Sequence, residues 1–189
     1  MAVYSLQLPL TKEQVLSLRA GDMVTLTGDM LTGRDAAHKR LIALLKEGKP
    51  LPIDLRGQTI YYVGPAPASP GHACGSAGPT TSYRMDAYTP DLLRLGLNCM
   101  IGKGRRSDAV RDAMQTYGAV YLGAVGGAAA LIARSIEKTE VMAYPDLGTE
   151  AIHRFTVRDF PAIVLMDAHG GSLYESGPAQ YRLEEEAPV

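Results

Sequence analysis

A glycine- and threonine-rich segment in the middle of the chain has the residue types of an anion-binding site. The segment from Gly75 to Asp86 sets two adjacent hydroxyls, Thr80 and Thr81, ahead of a cation, Arg84. Glycine allows a sharp backbone turn, and Pro79 suits the first position of a helix, whose free N–H groups attract anions. An arginine about one turn further on can grip a carboxylate with two parallel hydrogen bonds. We therefore predict an anion-binding loop with a hydroxyl for proton transfer; the alternative is an ordinary turn before a surface helix.

Two further segments place a cation directly after an apolar run. Arg34 and Lys103 each follow such a run, at the kind of loop where α/β proteins usually build their sites. Lys103 does not belong to a nucleotide P-loop, because that motif needs a glycine where Leu97 stands and a Ser or Thr where Gly104 stands. Cationic loops without a nucleotide motif indicate a small anionic substrate.

The elements that must position these residues alternate between strand and helix. We predict strands over residues 23–27, 59–63, 99–101, 119–122, 141–143, 154–157 and 162–166. We predict helices over residues 35–45, 79–87, 90–95, 107–117 and 128–136, and a short turn or helix over residues 10–19. The glycine pair at 170–171 predicts a hairpin turn to a further strand over 172–175. This pattern indicates an α/β fold in one domain, residues 1–189, with a frayed tail over 182–189.

Composition narrows the classes of function and cofactor. The chain has 189 residues, 46% of them hydrophobic, and a net charge of −1, which indicates neither a nucleic-acid nor a membrane partner. No basic and apolar leader opens it, so we expect it in the cytoplasm. Cys74 and Cys99 are too few for an iron–sulfur cluster and lack C-x-x-C spacing. We therefore expect this chain to hold no metal, even though His72 lies close to Cys74.

Taken together, these segments closely resemble the C-terminal domain, or separate β subunit, of class I (iron–sulfur) fumarate hydratases and the related L-tartrate dehydratases. The matching stretches follow one another in the family's order, over residues 28–38, 62–67, 75–86, 101–104, 121–130, 146–151 and 160–167. The likeness extends from about Leu8 to Tyr174. It implies a swivelling β/β/α domain with mixed sheets and flanking helices.

The resemblance also implies an activity, a partner and roles for named residues. The activity is that of a hydro-lyase interconverting fumarate and L-malate, with a 4Fe–4S cluster held by an α subunit in an α₂β₂ assembly. This chain would then bind no cluster by itself and show no activity alone. The residues that match the family's catalytic positions are Thr80, Arg34 and Lys103. Those that match substrate-binding positions are Arg84, Thr81, Arg34, Lys103 and Gly78. Residues expected to support the site are Asp35, His38 and Glu150.

Two other readings remain open at this point. The chain resembles the β subunit of an L-tartrate dehydratase as well, although residues 121–130 and 146–151 are more similar to the fumarase branch. A catalytically silent domain that only binds a dicarboxylate or a partner protein is the third reading, and the intact set of cations argues against it. Arg105 and Arg106 depart from the family pattern, and we predict that they form a solvated edge or a subunit contact.

Overall fold

The computed structural model describes residues 2–124 and 127–182 of the chain. The strands are β1 (Val3–Gln7), β2 (Met23–Thr32), β3 (Thr59–Tyr61), β4 (Cys99–Gly102), β5 (Val120–Gly123), β6 (Ile136–Ala143) and β7 (Ile152–Met166). The α-helices are α1 (Lys12–Ser17), α2 (Asp35–Lys46), α3 (Thr89–Arg94), α4 (Asp108–Tyr117), α5 (Ala129–Arg134) and α6 (Leu173–Gln180). Two 3₁₀ helices span Ser82–Met85 and Pro145–Glu150. Within the described ranges, every helix is too short or too polar to cross a bilayer.

The strands form one mixed sheet in the order β1-β2-β3-β4-β5-β7-β6. The first five strands are parallel, and β7 runs antiparallel to both β5 and β6. Strand β7 also pairs with β2, from Leu31 opposite Arg154 to Met23 opposite Ile163, so that β2, β3, β4, β5 and β7 close into a ring. The length of β7, 15 residues, allows it to reach all three partners. The predicted α/β class is confirmed, whereas the swivelling β/β/α description stays a prediction.

Alternation along the parallel strands separates two hydrophobic cores. Because successive side chains of a strand point to opposite faces, Ile101 and Leu122 pack with Phe155 and Phe160 of β7 inside the ring. The intervening residues pack on the helices: the second core joins Ile60, Met100 and Tyr121 to Leu41 of α2, Leu92 of α3 and Met114 of α4. Helices α2, α3 and α4 and strand β7 therefore lie on opposite faces of the parallel strands.

Local capping signals confirm the ends of two predicted helices. Thr11 and Gln14 form a reciprocal capping box at the start of α1, with the Thr11 N–H donating to Gln14 Oε1 over 2.9 Å. Ser107 caps α4 by accepting from the Val110 N–H at 3.4 Å. Gly118 ends that helix in the left-handed conformation, at φ 62°.

Several predicted elements were wrong in type or extent. The expected strand over 172–175 is the start of α6, because the Asp167 carboxylate accepts the N–H groups of His169 and Gly171, both at 2.9 Å, and turns the chain into a helix. The two strands expected over 154–157 and 162–166 are one strand, β7, and β1 was not predicted. Of the predicted frayed tail, only residue 182 lies within the described residues.

At Gly102, the end of β4, the backbone lies close to the segments that carry Ser82 and Tyr62. A Cβ on Gly102 would overlap Ser82 Oγ and lie 2.9 Å from the Tyr62 ring. We expect Gly102→Ala to lower the free energy of unfolding by about 1–3 kcal/mol, because overpacking forces the backbone to shift. Urea denaturation of the chain measures this.

Gly177→Ala is the matched control, because its Cβ would lie 3.9 Å from Leu173 Cδ1, an ordinary contact within a helix. It should cost less stability than Gly102→Ala, because only the following Pro178 opposes its Cβ. Equal stability of the two variants would contradict the close approach at Gly102.

Candidate active site

The predicted site residues lie around the carboxyl ends of β2, β3 and β4. Arg34 comes two residues after β2, and Lys103 comes directly after β4. Between them, the chain leaving β3 continues through Tyr62 and Gly64. Because these strands are parallel and adjacent, their carboxyl ends lie at the same edge of the sheet. The fold therefore gathers three loops that are far apart in sequence.

The two threonines lie on an extended segment and not at the start of a helix. The Thr80 N–H donates to the Tyr62 carbonyl at 2.7 Å, and the Ser82 N–H donates to the Lys103 carbonyl at 2.9 Å. Thr81 and Lys103 form a parallel β-bridge. The predicted helix opening at Pro79 was wrong, because these N–H groups are used in sheet-like bonds to Tyr62, directly after β3, and to Lys103, directly after β4. Thr80, Thr81 and Lys103 are brought together by backbone pairing.

Acidic side chains alternate with the two arginines. One Arg84 guanidinium nitrogen lies 2.9 Å from Asp35 Oδ2, and Arg34 lies 3.9 Å from that same oxygen. Arg34 also lies 3.3 Å from Glu150 Oε1. This charge ladder, Arg84–Asp35–Arg34–Glu150, joins the 3₁₀ helix Ser82–Met85, the start of α2 and the 3₁₀ helix Pro145–Glu150. Two of the residues expected to support the site, Asp35 and Glu150, are therefore in contact with Arg34 or Arg84.

The Arg34 side chain is confined by backbone on one side. A Cβ on Gly64 would lie 3.0 Å from an Arg34 guanidinium nitrogen and 3.2 Å from the Thr149 carbonyl oxygen. Glycine at position 64 therefore lets the chain after β3 approach both Arg34 and Thr149 closely. Gly78, which was predicted to bind substrate, makes a similar close approach, since its Cβ would lie 3.0 Å from that of Ala129 in α5.

His38 is buried behind Arg34. Its Nδ1 lies 2.8 Å from the Arg34 carbonyl oxygen, which can only accept, so Nδ1 carries the proton. The ring also packs edge-on against Tyr62 at 5.5 Å. Burial lowers the pKa of His38 to about 4, so the ring is neutral at physiological pH. Its place in the structure is that of a neutral support for the turn that carries Arg34.

Arg106 was misassigned by the sequence pattern. It was predicted to be part of a solvated edge or a subunit contact, but its side chain is fully buried and its Nε donates to Asp86 Oδ1 at 2.6 Å. Burial opposes the charge of Arg106, but Tyr62 and Asp86 outweigh it and raise the pKa of the guanidinium. Sequence carried no local signal, because Asp86 and Tyr62 lie 20 and 44 residues away. Arg105, by contrast, is exposed.

The two cysteines do not provide the ligand set of an iron–sulfur cluster. Both are buried thiols, and burial raises the pKa of Cys99 to about 12, which disfavours the thiolate that a metal requires. Within residues 2–124 and 127–182, no group of three or more His, Cys, Asp or Glu side chains is placed to hold a metal ion. The described residues therefore do not fit a 4Fe–4S cluster.

Comparison with known proteins shows which sequences this chain is similar to. Residues 2–177 match the sequence family described as Fumarase C-terminus. The chain is 46% identical to the class I anaerobic fumarate hydratase of Escherichia coli (strain K12) over 155 residues, which are 80% of this chain and 28% of that protein. It is 40% identical to fumarate hydratase 2 of Leishmania major over 86% of this chain and 29% of that protein.

A third relative is matched along most of its own length. The chain is 40% identical to a putative L(+)-tartrate dehydratase subunit beta of Methanocaldococcus jannaschii over 172 residues, 88% of each protein. The chain thus spans under a third of the two fumarate hydratases but nearly all of this subunit.

The buried neutral His38 predicts a specific loss of stability in mild acid. Its folded-state pKa of about 4 lies below the ordinary 6.5. Between these two pH values the histidine is protonated in the unfolded chain but stays neutral in the folded chain. Stability therefore falls as pH drops through this window. Between pH 7.5 and 5, the wild type should lose about 2 kcal/mol more than His38→Gln, whose uncharged amide does not titrate.

Urea denaturation at the two pH values measures the difference. His72→Gln, at an exposed loop position, is the control and should keep the wild-type dependence on pH. Identical pH dependence in the wild type and His38→Gln would contradict a buried neutral ring.

Proposed function

This chain belongs to the Fumarase C-terminus family, and we propose that it supplies the proton-transfer group and the carboxylate-binding cations of a hydro-lyase that interconverts fumarate and L-malate. The observation that carries the proposal is the convergence of Arg34, Arg84 and Lys103 with Thr80 around one edge of the sheet. These are the groups that a small dicarboxylate requires, and the relatives named fumarate hydratase support this substrate.

The charge of the site suits a dianion. Three cations (Arg34, Arg84 and Lys103) and two carboxylates (Asp35 and Glu150) leave a net charge of +1. The planar forks of the arginines can each hold one carboxylate through two hydrogen bonds. Lys103 is exposed, and among the described residues its ammonium makes no ion pair, so it is available to a substrate. The cations would hold the substrate and stabilise the extra negative charge that builds up on its carboxylate as the proton leaves.

Thr80 is the proposed proton carrier. Dehydration of malate removes a proton from one carbon and hydroxide from its neighbour. The Thr80 hydroxyl is half-buried, and no residue in the described part of the chain hydrogen-bonds to it. A threonine hydroxyl is a weak base unless its surroundings favour the anion. Thr81, the residue after Thr80, forms a β-bridge with Lys103. The cations of this site favour a negative charge on the Thr80 oxygen.

We propose that the 4Fe–4S cluster implied by the family resemblance is held by a second polypeptide or domain, and we assign none of its chemistry to residues of this chain. The likeness to a protein named subunit beta supports a partner α subunit, most simply in an α₂β₂ assembly. Arg84, at 46% exposure, and the exposed Lys103 lie on an open surface that a partner can cover.

An L-tartrate dehydratase is the second candidate. The specific observation in its favour is that the chain matches 88% of a putative L(+)-tartrate dehydratase subunit beta, but only 28% of the E. coli fumarate hydratase. The same cations could hold the carboxylates of either diacid. Rates with L-malate and L-tartrate, measured on the chain reconstituted with its partner, separate the two candidates; turnover of neither would refute both.

Thr80→Ala and Arg84→Ala should impair the reconstituted enzyme differently. Loss of the proton carrier should lower kcat on the order of 10²–10⁴-fold with little change in KM. Loss of Arg84 should raise KM markedly and also lower kcat, because the substrate is then poorly positioned. Arg84→Lys should restore activity only in part, since a point charge cannot replace the fork. Ultraviolet absorption of fumarate during malate dehydration gives both constants.

Two exposed positions provide matched controls for these variants. Thr116→Ala on α4 and Arg94→Ala at the end of α3 remove the same groups away from the site and should keep wild-type kinetics. A Thr80→Ala enzyme with near-normal kcat would place the base elsewhere.

The isolated chain should not assemble an iron–sulfur cluster. Its two cysteines are buried thiols, and a cluster takes three or four thiolates. Anaerobic reconstitution with iron and sulfide, followed by visible absorption, checks this expectation. A stable cluster on the isolated chain, together with fumarate turnover, would overturn the proposed division of roles.

A further inference from the structure

A buried cation lies directly behind the candidate site. The Arg106 side chain is 0% exposed, and its guanidinium carbon lies 5.3 Å from the ring centroid of Tyr62 and 5.1 Å from that of Tyr121. Tyr62 follows β3 and Tyr121 belongs to β5, and these two strands are the neighbours of β4 in the sheet. One guanidinium therefore contacts an aromatic ring from each neighbour of β4. Cation–π attraction of this kind is strongest when water is excluded.

Hydrogen bonds from Arg106 fix the end of the 3₁₀ helix that carries Arg84. Its Nε donates to Asp86 Oδ1 at 2.6 Å, and a terminal nitrogen donates to Thr89 Oγ1 at 2.8 Å. Because the guanidinium only donates, the Thr89 proton is free for the Met85 carbonyl, 2.9 Å away. Arg106 therefore holds Asp86 and Thr89 directly, and Met85 through Thr89. All three residues follow Arg84 closely in the chain.

A second chain of bonds fixes the start of that helix and the loop of Lys103. Tyr121, whose ring packs on Arg106, has its hydroxyl 2.9 Å from the Gly104 carbonyl and 2.8 Å from Ser82 Oγ. The carbonyl can only accept, so the Tyr121 proton goes to Gly104 and Ser82 donates to Tyr121. Ser82 Oγ then accepts the Lys103 N–H at 3.1 Å. Lys103 and the residues just before Arg84 are tied to one tyrosine.

The segment of Thr80 is attached to the other aromatic partner. The Thr80 N–H donates to the carbonyl of Tyr62, whose ring lies against Arg106 and whose hydroxyl lies 3.5 Å from it. Thr80 is thus two contacts away from the Arg106 guanidinium, and Lys103 is three contacts away. Arg84 lies two residues before Asp86, which the same guanidinium binds.

Stability alone does not account for a charge at this position. A buried ion pair often stabilises a fold no better than apolar residues of similar volume, because both charges lose their water. An apolar side chain could fill the space between Tyr62 and Tyr121, but it could not bond Asp86 and Thr89. The charged group therefore contributes a defined geometry, since each of its bonds is directional.

We propose that Arg106 is a positioning residue for the site, holding Thr80, Arg84 and Lys103 at fixed separations without touching the substrate. The kinetic part of this inference rests on the proposed hydro-lyase function, whereas its structural part concerns the chain alone. Two variants address it: Arg106→Lys keeps the charge but loses the fork, and Tyr121→Phe removes one hydroxyl without leaving a large cavity. Arg105→Lys, at the exposed neighbouring position, is the control.

Hydrogen exchange of the full chain tests the structural part. In Arg106→Lys and Tyr121→Phe, the amides of Ser82 and Lys103 should exchange about tenfold faster, because the contacts that hold their segments are lost. Amides of the β6–β7 ladder should keep wild-type rates, as should all amides of the control. Unchanged rates at Ser82 and Lys103, or a uniform rise over the whole chain, would overturn the inference.

Kinetics of the reconstituted enzyme test the consequence for catalysis. Well below the unfolding midpoint, Arg106→Lys should raise KM for malate and lower kcat, each about tenfold or more, because small displacements of binding groups are costly. A purely structural role would lower the unfolding midpoint and leave kcat and KM of the folded enzyme unchanged, which would refute positioning. An inactive wild-type complex would refute the proposed function, while the exchange rates would still decide the structural part.

Discussion

The pairing of β7 with both β2 and β5 is the interaction on which the arrangement of this protein depends. It closes five strands into a ring and fixes the registers of β2 and β5 at once. A one-residue slip in a strand turns every side chain to the other face, so a slip of β7 would disrupt the core inside the ring. With the ring closed, the carboxyl ends of β2, β3 and β4 stay side by side. The loops of Arg34, Thr80 and Lys103 lie close together because β2, β3 and β4 pair directly, and the closure holds this part of the sheet in register.

Elements with clear local signals were predicted well, whereas two strands whose extent depends on distant pairing, β1 and β7, were not. The helices α2 and α4 carry apolar spacing and clear ends, such as Ser107 and Gly118, within a single stretch of sequence. Strand β7 reads as two strands because Asp159 (φ 51°) and Pro161 interrupt its pattern, and only the partner residues on β2 keep it continuous. The short β1 is defined by its pairing with β2, which sequence periodicity does not report.

The candidate site shows the same division. Chain order was enough to place Arg34 and Lys103 at loops after strands, and this placement holds in the structure. It could not show that Asp35 lies between Arg34 and Arg84, nor that Arg106 is buried, because both depend on contacts between segments far apart in the chain. The helix expected at Pro79 was wrong because backbone pairing to the loops after β3 and β4 competes successfully with local helix formation.

Strand β6 lies outside the closed ring and leaves one edge of the sheet unpaired. In the described residues, β6 forms one border of the sheet, with only β7 beside it. An unpaired border can recruit strands from other molecules, and charged side chains oppose such pairing. On β6, Lys138 pairs with Glu140 at 2.9 Å, and Glu137 with Arg158 of β7 at 2.6 Å. A strand from another molecule that paired with β6 would have to desolvate or displace these ion pairs. This border is therefore protected against edge-to-edge aggregation.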